Sequence, residues 1–144
     1  MRNSAKGNSG FTLVELILTI TILAMLSLAA FVKNYFNMID SAQTATRDTV
    51  AAAVQSGLKI YASKKITEGI NETYPAALDG ASDGTDASDS NPFFSDVLEL
   101  GVTEHWHKRS PTCYSFTGDG AFNDYFRYDP TTGAFEVTTD AGCT

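Results

Sequence analysis

Between Phe11 and Val32 the chain runs for 22 residues with a single charge, Glu15. An α-helix needs about 20 apolar residues to cross a bilayer core about 30 Å thick. The run therefore predicts a spanning helix, and the rest of the chain must be organised around that span. A carboxylate just inside an apolar span is costly, so Glu15 asks for a cationic partner. Ahead of the run stands MRNSAKGNSG, whose only charges are Arg2 and Lys6. A secretory signal would place its cleavage site behind its apolar stretch, and no A-x-A-like site follows Ala30. The two leader cations favour a cytoplasmic N-terminus, which puts the remainder of the chain outside the cytoplasm.

The hexapeptide Gly10-Phe11-Thr12-Leu13-Val14-Glu15, set between a short basic leader and an apolar helix, resembles the type IV prepilin signature. That signature is found in type IV pilins and in the pseudopilins of type II secretion systems. The resemblance implies cleavage by prepilin peptidase between Gly10 and Phe11 and N-methylation of Phe11. It also implies a structural rather than enzymatic role. The subunit would wait in the inner membrane with its head outside the cytoplasm. It would then polymerise with itself and related pilins into a cell-surface or periplasmic filament, with the help of inner-membrane assembly machinery. Residues 1–10 would be the leader, 11–32 the transmembrane and filament-core helix, 33–68 an amphipathic helix and 69–144 a globular head. Cleavage would leave a cationic α-amino group on Phe11, four residues from Glu15. Pairing that amine with the Glu15 of another subunit would neutralise two groups that lipid disfavours and set the register between helices. Glu15 is thus the expected assembly residue.

Beyond Val32, Ile39, Ala42, Thr46, Val50, Ala53, Val54, Gly57, Leu58 and Tyr61 recur at spacings of three and four, one face of a helix. Asp40, Gln43, Arg47, Asp48 and Lys59 mark the other face, and Gly69, Asn71 and Pro75 end it. From Phe11 to Lys65 the predicted helix would be about 80 Å long at about 1.5 Å per residue. Net charge is −7, and −9 without the leader, when eight Lys and Arg face seventeen Asp and Glu. This excludes a general nucleic-acid binder, which needs clustered cations.

Asn91 as N-cap, Pro92 at the first helical position and Gly101 as stop predict a short helix over residues 91–101. Thr112–Thr117, Phe122–Tyr128 and Ala134–Thr139 read as strands, the last two joined by the turn Asp129-Pro130-Thr131-Thr132-Gly133. The expected fold is α+β and type IV pilin-like: a long N-terminal α-helix packed on a three- to four-stranded antiparallel sheet. Cys113 and Cys143 are the two cysteines of an exported chain and predict one disulfide. A loop of about 30 residues closed in this way is worth roughly 3 kcal/mol.

Tyr74–Asn91 reads as a solvated acidic loop. Asp79, Asp83, Asp86 and Asp89 offer calcium as the sharper alternative, but their spacing is not that of an EF-hand. His105-Trp106-His107-Lys108-Arg109 reads as a loop with a half-buried Trp. Two His at i, i+2 lack a third metal ligand, and Lys108, Arg109 and Trp106 are the residues a DNA contact would use. Asp119, Asp124 and Asp129 form no catalytic arrangement with a Ser, His or Cys. No metal site, no required cofactor and no nucleic-acid partner is expected. The rival reading is a monomeric membrane-anchored binding module for calcium, DNA or a surface ligand.

Overall fold

The computed structural model describes residues 11–117, 123–139 and 142–143. The chain divides into two compact units, Met1–Ser41 and Ala42–Thr144. Helix α1, Leu13–Thr67, supplies all the regular structure described in the first unit and the N-terminal part of the second.

In the first unit every residue from Phe11 to Met38 is exposed within the chain. No proline or glycine interrupts this part of the helix. The hydroxyls of Thr19 and Thr21 donate to the carbonyls of Leu16 and Leu18, 2.8 Å in each case. The two threonines therefore bring no unpaired polar group into the apolar run, the condition for placing a segment in lipid.

In the second unit α1 buries Val54, Gly57, Leu58 and Ala62, the heart of the stripe seen in the sequence. Arg47 stands at the edge of that face, where it holds Asp48 and reaches across to Asp124. Its pKa is raised, first by the hydrogen bond to Asp48. The helix ends where Gly69 adopts φ 79°. Ile70 N–H donates to Lys65 O and Gly69 N–H to Ile66 O, both at 3.0 Å. These two bonds form the motif that satisfies orphan C-terminal carbonyls and that glycine makes cheap.

Five antiparallel strands follow in the order β1-β2-β3-β4-β5: Thr85–Asp86, Trp106–Ser110, Cys113–Thr117, Asn123–Asp129 and Ala134–Thr138. Register carries Trp106 opposite Phe116, Tyr114 opposite Phe126, and Tyr128 opposite Phe135. Six aromatic side chains thus share the face that meets Val54 and Leu58, and Phe93 and Phe94 complete the core. Burying each such side chain contributes about 1.5–3 kcal/mol. Edge-to-face contacts such as Phe94–Trp106, with centroids 5.3 Å apart, add specificity.

Three expectations change. The sheet has five strands rather than three or four, because Thr85–Asp86 pairs with a strand built from the 106–110 segment. The short helix over 91–101 does not form. Phe93 instead makes an antiparallel bridge with Val102, and Phe94 takes a left-handed backbone, φ 60°, that a helix excludes. The Asn, Pro and Gly signals are real punctuation, but of a folded-back turn that drives two adjacent phenylalanines into the core. Finally, the 105–109 segment is not a loop with a half-buried Trp: Trp106 is 1% exposed and lies within β2.

Candidate processing and assembly site

Helix α1 starts with Thr12 as its N-cap. The Thr12 carbonyl accepts the Leu16 N–H at 3.1 Å, and its hydroxyl accepts the Glu15 N–H at 3.3 Å. Thr-x-x-Glu ahead of an apolar run is a capping-box sequence, and it is the signal that sequence reading passed over. Phe11 precedes the helix and is 76% exposed, and Glu15, in the first turn, is exposed as well. A carboxylate there suits the positive end of the helix dipole. Gly10, and with it the expected scissile bond to Phe11, lies outside the described residues.

Cys113 and Cys143 are joined as a disulfide, with Cα atoms 5.4 Å apart. Both are buried, so the bond ties the C-terminal segment to β3.

The acidic segment is not a uniformly solvated loop. Asp79 is buried and pairs with buried Lys108 at 2.7 Å, and Lys108 Nζ also donates to the Ala81 carbonyl. The same carboxylate accepts from Ala81 N–H, Phe94 N–H and the Tyr114 hydroxyl. With two acceptors for the ammonium and four donors on the carboxylate, the ion pair is tolerated inside the head. Burial, then the neighbouring Asp79 charge, pushes the Tyr114 hydroxyl far above its ordinary pKa. Asp86 pairs with His107 at 2.8 Å, whereas Asp83 and Asp89 are exposed. The four aspartates are therefore not brought together. Among the described residues no three His, Cys, Asp or Glu side chains gather as a metal site.

The 105–109 cluster is dispersed in the same way. Lys108 and Trp106 are buried and unavailable to a phosphate or a base. Arg109 lies over the Tyr125 ring, 5.0 Å from its centroid. No signal in the sequence joins Asp79 to Lys108, which stand 29 residues apart. Asp124 serves as an anchor for Arg47, and Asp119 lies outside the described residues. Asp129 caps its own turn by accepting from Thr131 and Thr132, bonds that hold its carboxyl below the usual range.

Among the described residues α1 is the one helix long and apolar enough to cross a membrane. Such a helix joined in sequence to an α+β head defines a class of chains that fit anchorage by one N-terminal span. Within that class the N-terminus is specific: residues 5–31 match the family model described as the prokaryotic N-terminal methylation motif. This motif is the signature of type IV pilins and pseudopilins, and over residues 5–31 the chain is similar to their prepilin N-terminus. It points to a structural subunit, to processing by prepilin peptidase and to assembly into pilus-like filaments. No curated protein and no solved structure matches the chain.

Proposed function

We propose that the protein is a filament subunit of a type IV pilus or a type II secretion pseudopilus. It is cut between Gly10 and Phe11, methylated on Phe11 and polymerised through residues 11–32. Before assembly it spans the inner membrane once, with residues 69–144 forming a head outside the cytoplasm and residues 33–68 linking the two as amphipathic helix. The observation that carries this reading is the run of exposed apolar side chains from Phe11 to Met38, headed by the methylation motif. Exposed apolar surface on this scale needs cover. Lipid supplies it before assembly, and neighbouring copies supply it afterwards.

In this mechanism Glu15 attracts the new α-amino group of Phe11 on an incoming subunit. Methylation keeps the amine cationic, so the attraction survives modification. Glu15→Gln retains shape and hydrogen bonding but removes the charge. It should leave cleavage and insertion intact and reduce sheared filament strongly, because the amine then enters apolar surroundings without a counter-charge. Wild-type filament yield from the Gln variant would reject the pairing mechanism. Wild-type protein that stays in the membrane as processed monomer, with no filament under any condition of pilus or pseudopilus assembly, would favour an anchored binding module.

A further inference from the structure

The geometry around the buried Asp79–Lys108 pair allows chemistry as well as charge pairing. Side chains alternate along β2, so Lys108 turns to the same face as Trp106. Register sets Tyr114 of β3 opposite Lys108, and both side chains are buried in the core. Asp79 reaches them from the segment ahead of β1, where the Asp96 N–H donates to the neighbouring Leu78 carbonyl at 3.1 Å. The two carboxylate oxygens have different neighbours. Oδ1 holds the Lys108 ammonium at 2.7 Å and accepts the Ala81 N–H at 3.1 Å. Oδ2 accepts the Phe94 N–H at 3.1 Å and the Tyr114 hydroxyl at 2.9 Å. A held amine beside a carboxyl whose other oxygen takes two fixed donors has the parts of an acyl-transfer site. The Lys108 and Asp79 side chains are 3% and 0% exposed, so bulk water does not compete for the carboxyl carbon.

We propose that Asp79 and Lys108 are a self-modification site, where the head joins its own side chains by an amide bond between Lys108 Nζ and Asp79 Cγ. This inference goes beyond the filament reading and does not depend on it. A proton passes from Nζ to Oδ1 along their contact, leaving a neutral amine against a carboxylic acid. The amine lone pair attacks Cγ, and the charge developing on Oδ2 meets the Phe94 N–H and the Tyr114 O–H. A second proton moves from nitrogen to Oδ1, the Cγ–Oδ1 bond breaks and one water leaves. Of the ammonium's hydrogens, two depart in that water and one stays on the amide nitrogen, beside the Ala81 carbonyl that already accepts from Nζ. No oxidant or co-substrate is consumed. The product replaces two buried charges by a neutral group, which removes the cost of keeping them out of water.

The test is peptide mass mapping of the full chain, isolated from cells that express it natively, then reduced, denatured and digested. Trypsin cuts after free lysine, and between Lys65 and Lys108 the sequence holds no other Lys or Arg. Wild type should release residues 66–109 as one peptide, uncut after Lys108 and lighter than its sequence by one water. A further chymotryptic cut beside Phe93 or Phe94 should leave two pieces still joined. Lys108→Arg, whose guanidinium stays charged, should give the peptide at full mass. Tyr114→Phe keeps the ring in the core and removes one donor to Oδ2. In pulse-labelled chains it should slow the appearance of the joined peptide by about a hundredfold. A wild-type peptide of full mass, cut after Lys108, would overturn the proposal. So would a water loss that persists in Lys108→Arg, which would place it in a backbone imide at Asp79-Gly80 or Asp83-Gly84. Joining at the wild-type rate in Tyr114→Phe would overturn the part assigned to Tyr114.

Discussion

The two units put the same kinds of side chain to opposite uses. In the first, Leu16, Ile20, Phe31 and Phe36 are all more than half exposed; in the second, Val54, Leu58, Phe93 and Phe94 are 0% exposed. The first unit satisfies its backbone locally, by helix bonds and by threonines that bond back three residues, and leaves its apolar surface for other molecules to cover. The second satisfies itself through long-range contacts: an aromatic face, one buried ion pair and one disulfide. On the proposed function, the difference teaches that stability and assembly reside in different residues. Changes in the head should alter melting, and changes near Glu15 should alter what the chain joins.

The sharpest way to break this division is to attack the buried pair. Asp79→Ala leaves the Lys108 ammonium uncompensated and the Tyr114 hydroxyl and Phe94 N–H without their acceptor. Losing one partner of a buried pair costs about 3–5 kcal/mol. Denaturant unfolding of the head should show that loss, and an unchanged midpoint would mean that the pair is not buried as described. A smaller effect is expected where α1 meets the 93–102 turn. A Cβ on Gly57 would stand 2.3 Å from the Val97 carbonyl oxygen. Gly57→Ala should therefore destabilise the head by about 1–3 kcal/mol through overpacking, despite alanine's better helix propensity. A variant as stable as wild type would show that the turn moves aside freely.

The smallest effect is a pH dependence. The folded-state pKa of Tyr114 is raised by burial and by Asp79, and that of Tyr128 is pushed up to about 12, also chiefly by burial. A tyrosine with a raised folded pKa contributes stability that is full below its unfolded value, about 10, and is lost as pH rises toward the folded value. The head should lose stability progressively above about pH 10, and Tyr114→Phe should flatten that slope. Identical alkaline slopes in the two proteins would remove Tyr114 from the account.

The parts of this design differ in how plainly the sequence announces them. The helix was legible because a run with one charge and then a period of three to four residues persist over it, and β3 to β5 because aromatic and β-branched residues flank the Asp129–Gly133 turn. There Gly133 takes φ 69° against the Tyr74 ring. Strands β1 and β2 were not legible. Thr85–Asp86 is two residues long, too short to show a strand pattern, and β2 carries Lys108 and Arg109, which read as solvated cations although Lys108 reaches Asp79, 29 residues away. The cap-like signals at Asn91 and Gly101 misled because local propensity yielded to the burial of Phe93 and Phe94. At the candidate site the motif from Gly10 to Glu15 stands in the sequence itself, whereas Thr12 as the helix N-cap emerged only with the bond to Glu15 N–H.

The central proposal is that this chain is a prepilin whose mature form begins inside the motif. The most direct test is the mass of the intact protein and of its N-terminal peptide, isolated from cells that express it natively. The account predicts a chain that has lost residues 1–10 and begins at a singly methylated Phe11. A mature protein that begins at Met1, or an unmodified N-terminus elsewhere in the apolar run, would contradict it.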